Sequence, residues 1–340
     1  MSSNEFGIYL KKEFSKGIKK YRVRKCLLCN QDMPTFCNSH SVPRFVLKNI
    51  AKDGKLRTSA RLIDIDCFDL IPEEKGTNNT GTFHNICRSC DSSVFKEYEN
   101  EESLSQNITN GMMLEIALKN SLYSIDKKYR EKGIYDFTDD TLSLTHPASK
   151  VYDYDFKEDM AYFYKLKKGL VGKKNVKFDL FMRERLNYRV PIAFQTNFYL
   201  YGDIEGNIIN ELYSYDRHRV MQSLVFCVFP LKDSTIVLGF NDQSHMKNKR
   251  FIQQFVKKSL EERLKIINKI NLTYSEEYYL SPCIDQNIYN NDDLKEVTSD
   301  VNLITIDSKV ARSIVVNTKL LNSLKDINDV PNLLSEKYKL

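Results

Sequence analysis

Four of the chain's eight cysteines stand in two matched pairs, CLLC at 26–29 and CRSC at 87–90. A C-x-x-C on a tight turn presents two sulfurs to one ion, and a second pair opening a helix supplies two more. Together they make the tetrahedral thiolate set that structural zinc takes. The segment after Cys90, DSSVFKEYENEE, has helical composition, and its Asp and Ser suit a first turn. The expectation is one structural Zn2+ held by Cys26, Cys29, Cys87 and Cys90. Its binding would contribute folding free energy on the order of 10 kcal/mol. The 57 residues between the pairs require an inserted hairpin and loop rather than a bare knuckle. A redox role would need a thioredoxin-like βαβ context, and neither pair has one. His84 and Cys37 are the spare ligands, each without a paired spacing. Cys67 and Cys283 stand apart, and Cys227, within LVFCVFPL, reads as apolar packing.

The second chemical signal is charge. Net charge is +6, and its distribution is uneven. Residues 11–25, KKEFSKGIKKYRVRK, carry eight Lys or Arg and one Glu, and lead directly into Cys26. Residues 165–177, KLKKGLVGKKNVK, carry six Lys and no acid. Such runs suit a phosphate backbone, which releases counterions when cations bind it. Lys11, Lys12, Lys16, Lys19, Lys20, Arg22, Arg24 and Lys25 are the nucleic-acid contacts this predicts, with DNA placed before RNA. No apolar run long enough for a membrane span occurs, and MSSNEFGIYLKKEF has no apolar h-region. A cytoplasmic protein without membrane partners is expected, and structural disulfides are disfavoured there.

These residues need elements to position them. A basic helical lead over 1–25 precedes a block bounded by the cysteine pairs, with turns at KDGK and EKGTNNTGT. Helical spacing over 103–132, with Gly133 as a stop, is followed by a break and a second helix over 155–169. After Arg189 the chain turns rich in Val, Ile, Phe and Tyr. VPIAFQTNFYLYG, IINELYSY, SLVFCVFPL and STIVLGF read as antiparallel strands, with hairpin connections at DIEGN and PLKDS. A long amphipathic helix over 245–270 and another near 309–325 close the sequence. The order predicts an α+β protein. A zinc-binding part over 1–105 is followed by an α+β part over 106–340 that regulates it, binds a partner or forms a homo-oligomer.

C-x-x-C, then a His followed by an apolar residue and Pro in SHSVP at 39–43, then C-x-x-C opening a helix, resembles the zinc-containing HNH endonucleases of the ββα-metal group. The resemblance covers roughly residues 20–100. It implies a treble-clef zinc site bracing a ββα unit that hydrolyses nucleic acid with a divalent Mg2+ or Mn2+ ion. His40 falls where that family has its general base, a role suited to a near-neutral pKa. Asp91 falls where the last ligand to the hydrolytic metal lies. The family's middle Asn corresponds to Thr82, with Asn78, Asn79 and Asn85 nearby. Many members carry Asp directly before the His, where this chain has Ser39. SHSVPRFVLKNI is also similar to bacterial proteins that pair an HNH-like head with a longer mixed domain in mobile-element or phage-defence settings. The competing expectation is a non-catalytic protein whose zinc part only stabilises a surface for nucleic acid or protein.

Other chemistry finds little support. G-x-x-x-x-G-K-[ST], G-x-G-x-x-G, G-x-S-x-G and H-E-x-x-H are all absent. Glu73 and Lys75, with Asp66 or Asp69 upstream, have the spacing of a different nuclease type, but IPEEKG reads as a turn. His146, His218 and His245 are isolated and read as surface or capping residues. The aromatics of FQTNFYLYG and NELYSYD read as packing rather than as a base-stacking surface.

Overall fold

A computed structural model describes residues 19–33, 37–58, 73–142, 147–212, 216–275, 277–289, 291–294 and 319–340, with single residues at 12, 16, 214 and 297. Side chains between 134 and 151 lie outside the description. The protein combines helices with antiparallel sheets, as an α+β chain should.

Among the described residues, the large sheet has seven strands in the order β3-β2-β9-β6-β7-β8-β5, and every neighbouring pair is antiparallel. Its centre is β6 (Ile192–Phe198), β7 (Leu224–Pro230) and β8 (Thr235–Asp242). All of β7 is buried, and the reason is visible in its alternation. Leu224, Phe226 and Val228 belong to one apolar core, while Val225, Cys227 and Phe229 belong to the other. Successive side chains on a strand point to opposite faces. A strand covered on both faces therefore reads as one continuous apolar run. Cys227 is a core residue, fully buried.

One face of the sheet is covered by α1 (Arg44–Ile50) and the long α4 (Asn110–Leu142). The other is covered by α6 (Lys249–Val256) and α7 (Leu260–Tyr274). α5 (Pro147–Leu170) runs antiparallel against α4, with Ser124 meeting Asp159 and Tyr129 meeting Phe156. Shorter helices among the described residues include α2 (Arg88–Val94), α3 (Glu101–Ser105) and the single turn α8 (Gln286–Tyr289). A separate two-stranded sheet pairs β1 (Ser39–His40) with β4 (Thr82–Phe83). The other N-terminal strands, β2 (Lys55–Thr58) and β3 (Glu73–Gly76), join the large sheet where β2 pairs β9 (Tyr279–Leu280). Strands from both sides of residue 105 thus share one sheet.

Several local expectations are corrected. The helix expected over 245–270 is two helices. Ser259 caps the second through a reciprocal capping box with Glu262, and this S-x-x-E start signal lies inside the apolar periodicity. Gly133 does not end α4, because an interior glycine costs a helix only about 1 kcal/mol and neighbouring turns carry it through. The turn expected in IPEEKG is, over its described residues Glu73–Gly76, a polar strand paired with β2. Asp66 and Asp69, its proposed companions, lie outside the described residues. Of the strand expected over IINELYSY, residues 208–212 form no regular strand; the Asn210 side chain donates to the Leu200 and Gln222 carbonyls. The charged strand β5 (Phe178–Leu186), bulged between Leu180 and Met182, went unpredicted. Most of the basic lead and of the helix expected near 309–325 lies outside the described residues.

Candidate metal centre

The first cysteine pair sits on a turn closed by its own backbone. The Asn30 N–H donates to the Cys26 carbonyl at 2.8 Å, and the Cys26 N–H to the Gln31 carbonyl at 2.9 Å. Closing so tightly takes Asn30 to φ 61°, a left-handed value that Asn tolerates better than most residues. The second pair is set by a helix start. Cys87 is the N-cap of α2, and its sulfur accepts from the Cys90 N–H at 3.5 Å. The two pieces are tied by Leu27 N–H to the Asn85 carbonyl at 3.0 Å and Cys87 N–H to the Cys26 sulfur at 3.3 Å.

All four sulfurs lie within 4.8 Å of one another, and Cys29 and Cys87 are 3.8 Å apart. Zinc–thiolate bonds of about 2.3 Å in a tetrahedron separate sulfurs by roughly 3.8 Å, so the cluster is of the right size for one such ion. The four cysteines can therefore hold a metal such as zinc. Burial opposes ionisation of Cys26. Backbone N–H groups of Cys29, Cys87 and Leu28 outweigh it and bring that thiol down to about 7. Burial and neighbouring sulfurs push Cys90 up strongly. An arriving cation would displace these protons, and its affinity would rise with pH. The spare ligands do not join: His84 Nε2 meets Asn38 Oδ1 at 2.9 Å, and Cys37 donates to Asp91 at 3.6 Å.

The neighbouring ββα arrangement is built from β1, β4 and α2. His40 stands opposite Thr82 across the two strands. Its Nε2–H donates to the Thr77 carbonyl at 2.9 Å, since a carbonyl can only accept. That bond fixes the tautomer and leaves the lone pair on Nδ1. Burial lowers the His40 pKa, against the Thr77 bond that raises it; Lys119 and Arg44 lower it further. His40 is consequently a neutral base at pH 7. Arg44, exposed at the start of α1, donates to Asn78 Oδ1.

Asp91, on the first turn of α2, is already engaged. Ser39 Oγ–H donates to its Oδ1 at 2.5 Å, Cys37 to its Oδ2, and Lys119 Nζ lies 3.3 Å from Oδ1. Lys119, from α4, is 1% exposed, also pairs with Glu99, and sits 4.4 Å over the Phe95 ring. Of the alternatives to the middle Asn, Asn85 is buried and donates to the Leu122 carbonyl at 2.7 Å, and Asn78, next to the Thr77 that His40 bonds, accepts from Arg44. Among the described residues no second cluster of His, Cys, Asp and Glu has a metal-binding arrangement. A buried ammonium stands where a divalent ion would need oxygen ligands. These groups do not fit a Mg2+ or Mn2+ ion as they stand.

Of the basic contacts predicted from sequence, Lys12, Lys16, Lys19, Lys20, Arg22, Arg24 and Lys25 are exposed, and Lys11 lies outside the described residues. Sequence reasoning missed Arg44 and Lys119. Arg44 follows SHSVP directly, and a lone Lys among the apolar residues of EIALKNSL was the signal for Lys119. No helix among the described residues is long and apolar enough to cross a membrane. Comparison with protein-family models, curated proteins and solved structures finds no match to this chain.

Proposed function

We propose that the chain acts on nucleic acid through a zinc-braced, HNH-type ββα module of treble-clef character, with His40 as general base for phosphodiester hydrolysis. The observation that carries this reading is the tautomer of His40. Its Nε2–H is spent on the Thr77 carbonyl, so Nδ1 is free to take a proton from an attacking water. The exposed guanidinium of Arg44, close enough to act on His40 electrostatically, would receive the phosphate in this reading, since its planar fork suits phosphate oxygens. The bond formed is water oxygen to phosphorus; the bond broken is phosphorus to the leaving sugar oxygen. No step is drawn through a divalent ion, because Asp91 is held by Ser39, Cys37 and Lys119.

The test uses full-length, zinc-loaded protein with plasmid, single-stranded DNA and RNA as substrates. His40→Ala should abolish cleavage while leaving zinc content and melting temperature at parental values. If the variant cuts as well as the parent, His40 is not the base.

The saturated carboxylate of Asp91 favours a second reading, a non-catalytic zinc-stabilised protein that binds nucleic acid or another protein. In that case neither parent nor variant cleaves any of the three substrates.

A further inference from the structure

An open cleft of about 590 Å³ lies between the Cys26 turn and the α4–α5 pair. Its size falls within the roughly 300–1,000 Å³ of small-molecule sites. Tyr21, Tyr129 and Tyr164 line it together with Arg24, Lys25 and Lys167, and no Asp or Glu is among its lining residues. Tyr164 is 51% exposed, a large aromatic surface left to solvent. Arg24 and Lys25 are exposed as well.

The cleft joins two features that are far apart in sequence. Lys167, within the 165–177 basic run, donates its Nζ to the Leu27 carbonyl at 2.6 Å, just past the end of the 11–25 run. Lys132, from α4, stands 5.9 Å over the Tyr21 ring. Arg24 and Lys25 from one basic run and Lys167 from the other therefore meet at one aromatic-lined concavity. Aromatic faces flanked by cations and free of carboxylates complement a ligand with flat π-surfaces and a chain of negative charge. A duplex hides its base faces by stacking and offers little to three tyrosines. An unpaired strand offers both faces and phosphates.

We infer that this cleft binds single-stranded nucleic acid, with a base stacked among Tyr21, Tyr129 and Tyr164 and the flanking phosphates held by Arg24, Lys25 and Lys167. It rests on the nucleic-acid part of the reading above and not on hydrolysis. DNA and RNA single strands share this chemistry.

The experiment measures fluorescence anisotropy of labelled single-stranded DNA, single-stranded RNA and duplex DNA of equal length. Full-length zinc-loaded protein carrying His40→Ala is used, so that cleavage plays no part. At least one of the two single strands should bind more tightly than the duplex. Tyr164→Ala should weaken single-strand binding about tenfold, the scale of one lost base–aromatic stack. Tyr164→Phe should retain it, because the ring remains. Replacing Arg24 and Lys25 together by Gln should reduce the slope of log affinity against log salt by about 1.4, from two single-strand phosphate contacts. A duplex bound as tightly as both single strands overturns the inference. So does a Tyr164→Ala variant that binds like its parent. Either result leaves the assignment of His40 standing, and loss of cleavage activity alone leaves the cleft standing.

Discussion

At the scale of single residues, the surroundings of Asp91 decide most. The sequence put Ser39 where an acid was expected, and the fold answers with a hydroxyl that donates to Asp91 rather than an oxygen that helps it hold a cation. Lys119 supplies the positive charge, from a helix far along the chain. Lys119→Met should leave two partly buried carboxylates, Asp91 and Glu99, without their cation. Removing one partner of such a pair costs on the order of 3 kcal/mol, read as a lower midpoint in urea. An unchanged midpoint would remove Lys119 from the account. His40 gives a pH signature. Its folded pKa lies below its ordinary value near 6.5, so between the two values the unfolded chain binds more protons than the folded one. Stability from this group is fully present above about pH 6.5 and is lost as pH falls through the folded pKa. Any cleavage activity should likewise hold its plateau down to about pH 6.5, with the acid limb below that. An acid limb centred well above pH 6.5 would contradict the burial of His40. The cysteine cluster was legible in sequence because local spacing sets each pair. Lys119 and Arg44 were not, because their relation to the site is made by packing.

At the scale of elements, the SHSVP loop is held from a distance. Ser41 bonds the Tyr279 hydroxyl at 2.9 Å, so β9 pins the segment that follows His40. Gly81 lies beneath the same hydroxyl at φ 63°, and a Cβ there would run into it. Gly81→Ala should therefore both strain the backbone and displace Tyr279. Its effect should exceed the roughly 1 kcal/mol expected for losing the N-cap in Ser259→Ala. Denaturant midpoints of the two variants make the comparison, and a Gly81→Ala protein as stable as its parent would deny the close packing. The central strands β6, β7 and β8 were readable from apolar composition, and so was the β7–β8 hairpin at PLKDS, whereas residues 208–212, after DIEGN, form no regular strand. The polar strand β3 and the charged strand β5 were not. Both lie at sheet edges, where charged side chains discourage pairing with other chains and erase the apolar pattern. The break between α6 and α7 was written in the S-x-x-E of Ser259–Glu262, and an apolar periodicity that runs on past it concealed the signal.

At the scale of the whole molecule, the cysteine cluster is not an appendage. Cys26, Val46 and Ile86 share one apolar core with Ile116 and Leu118 of α4 and with Val225 and Phe229 of β7. Metal removal should therefore reach beyond the Cys26 turn. In hydrogen exchange, a chelator should raise exchange in α2 and also in α4, whereas a cluster that folds independently would change only its own amides. This continuity could not be read from composition, because it is made by α1 and α4 packing against a strand that lies far along the chain from both. The central claim is that four sulfurs hold one zinc ion and so bring β1 up to α2. Zinc K-edge absorption on the purified chain tests it most directly. One zinc per chain with four sulfur neighbours at about 2.3 Å is expected. A first shell containing nitrogen or oxygen in place of sulfur, or a folded chain without zinc, would contradict it.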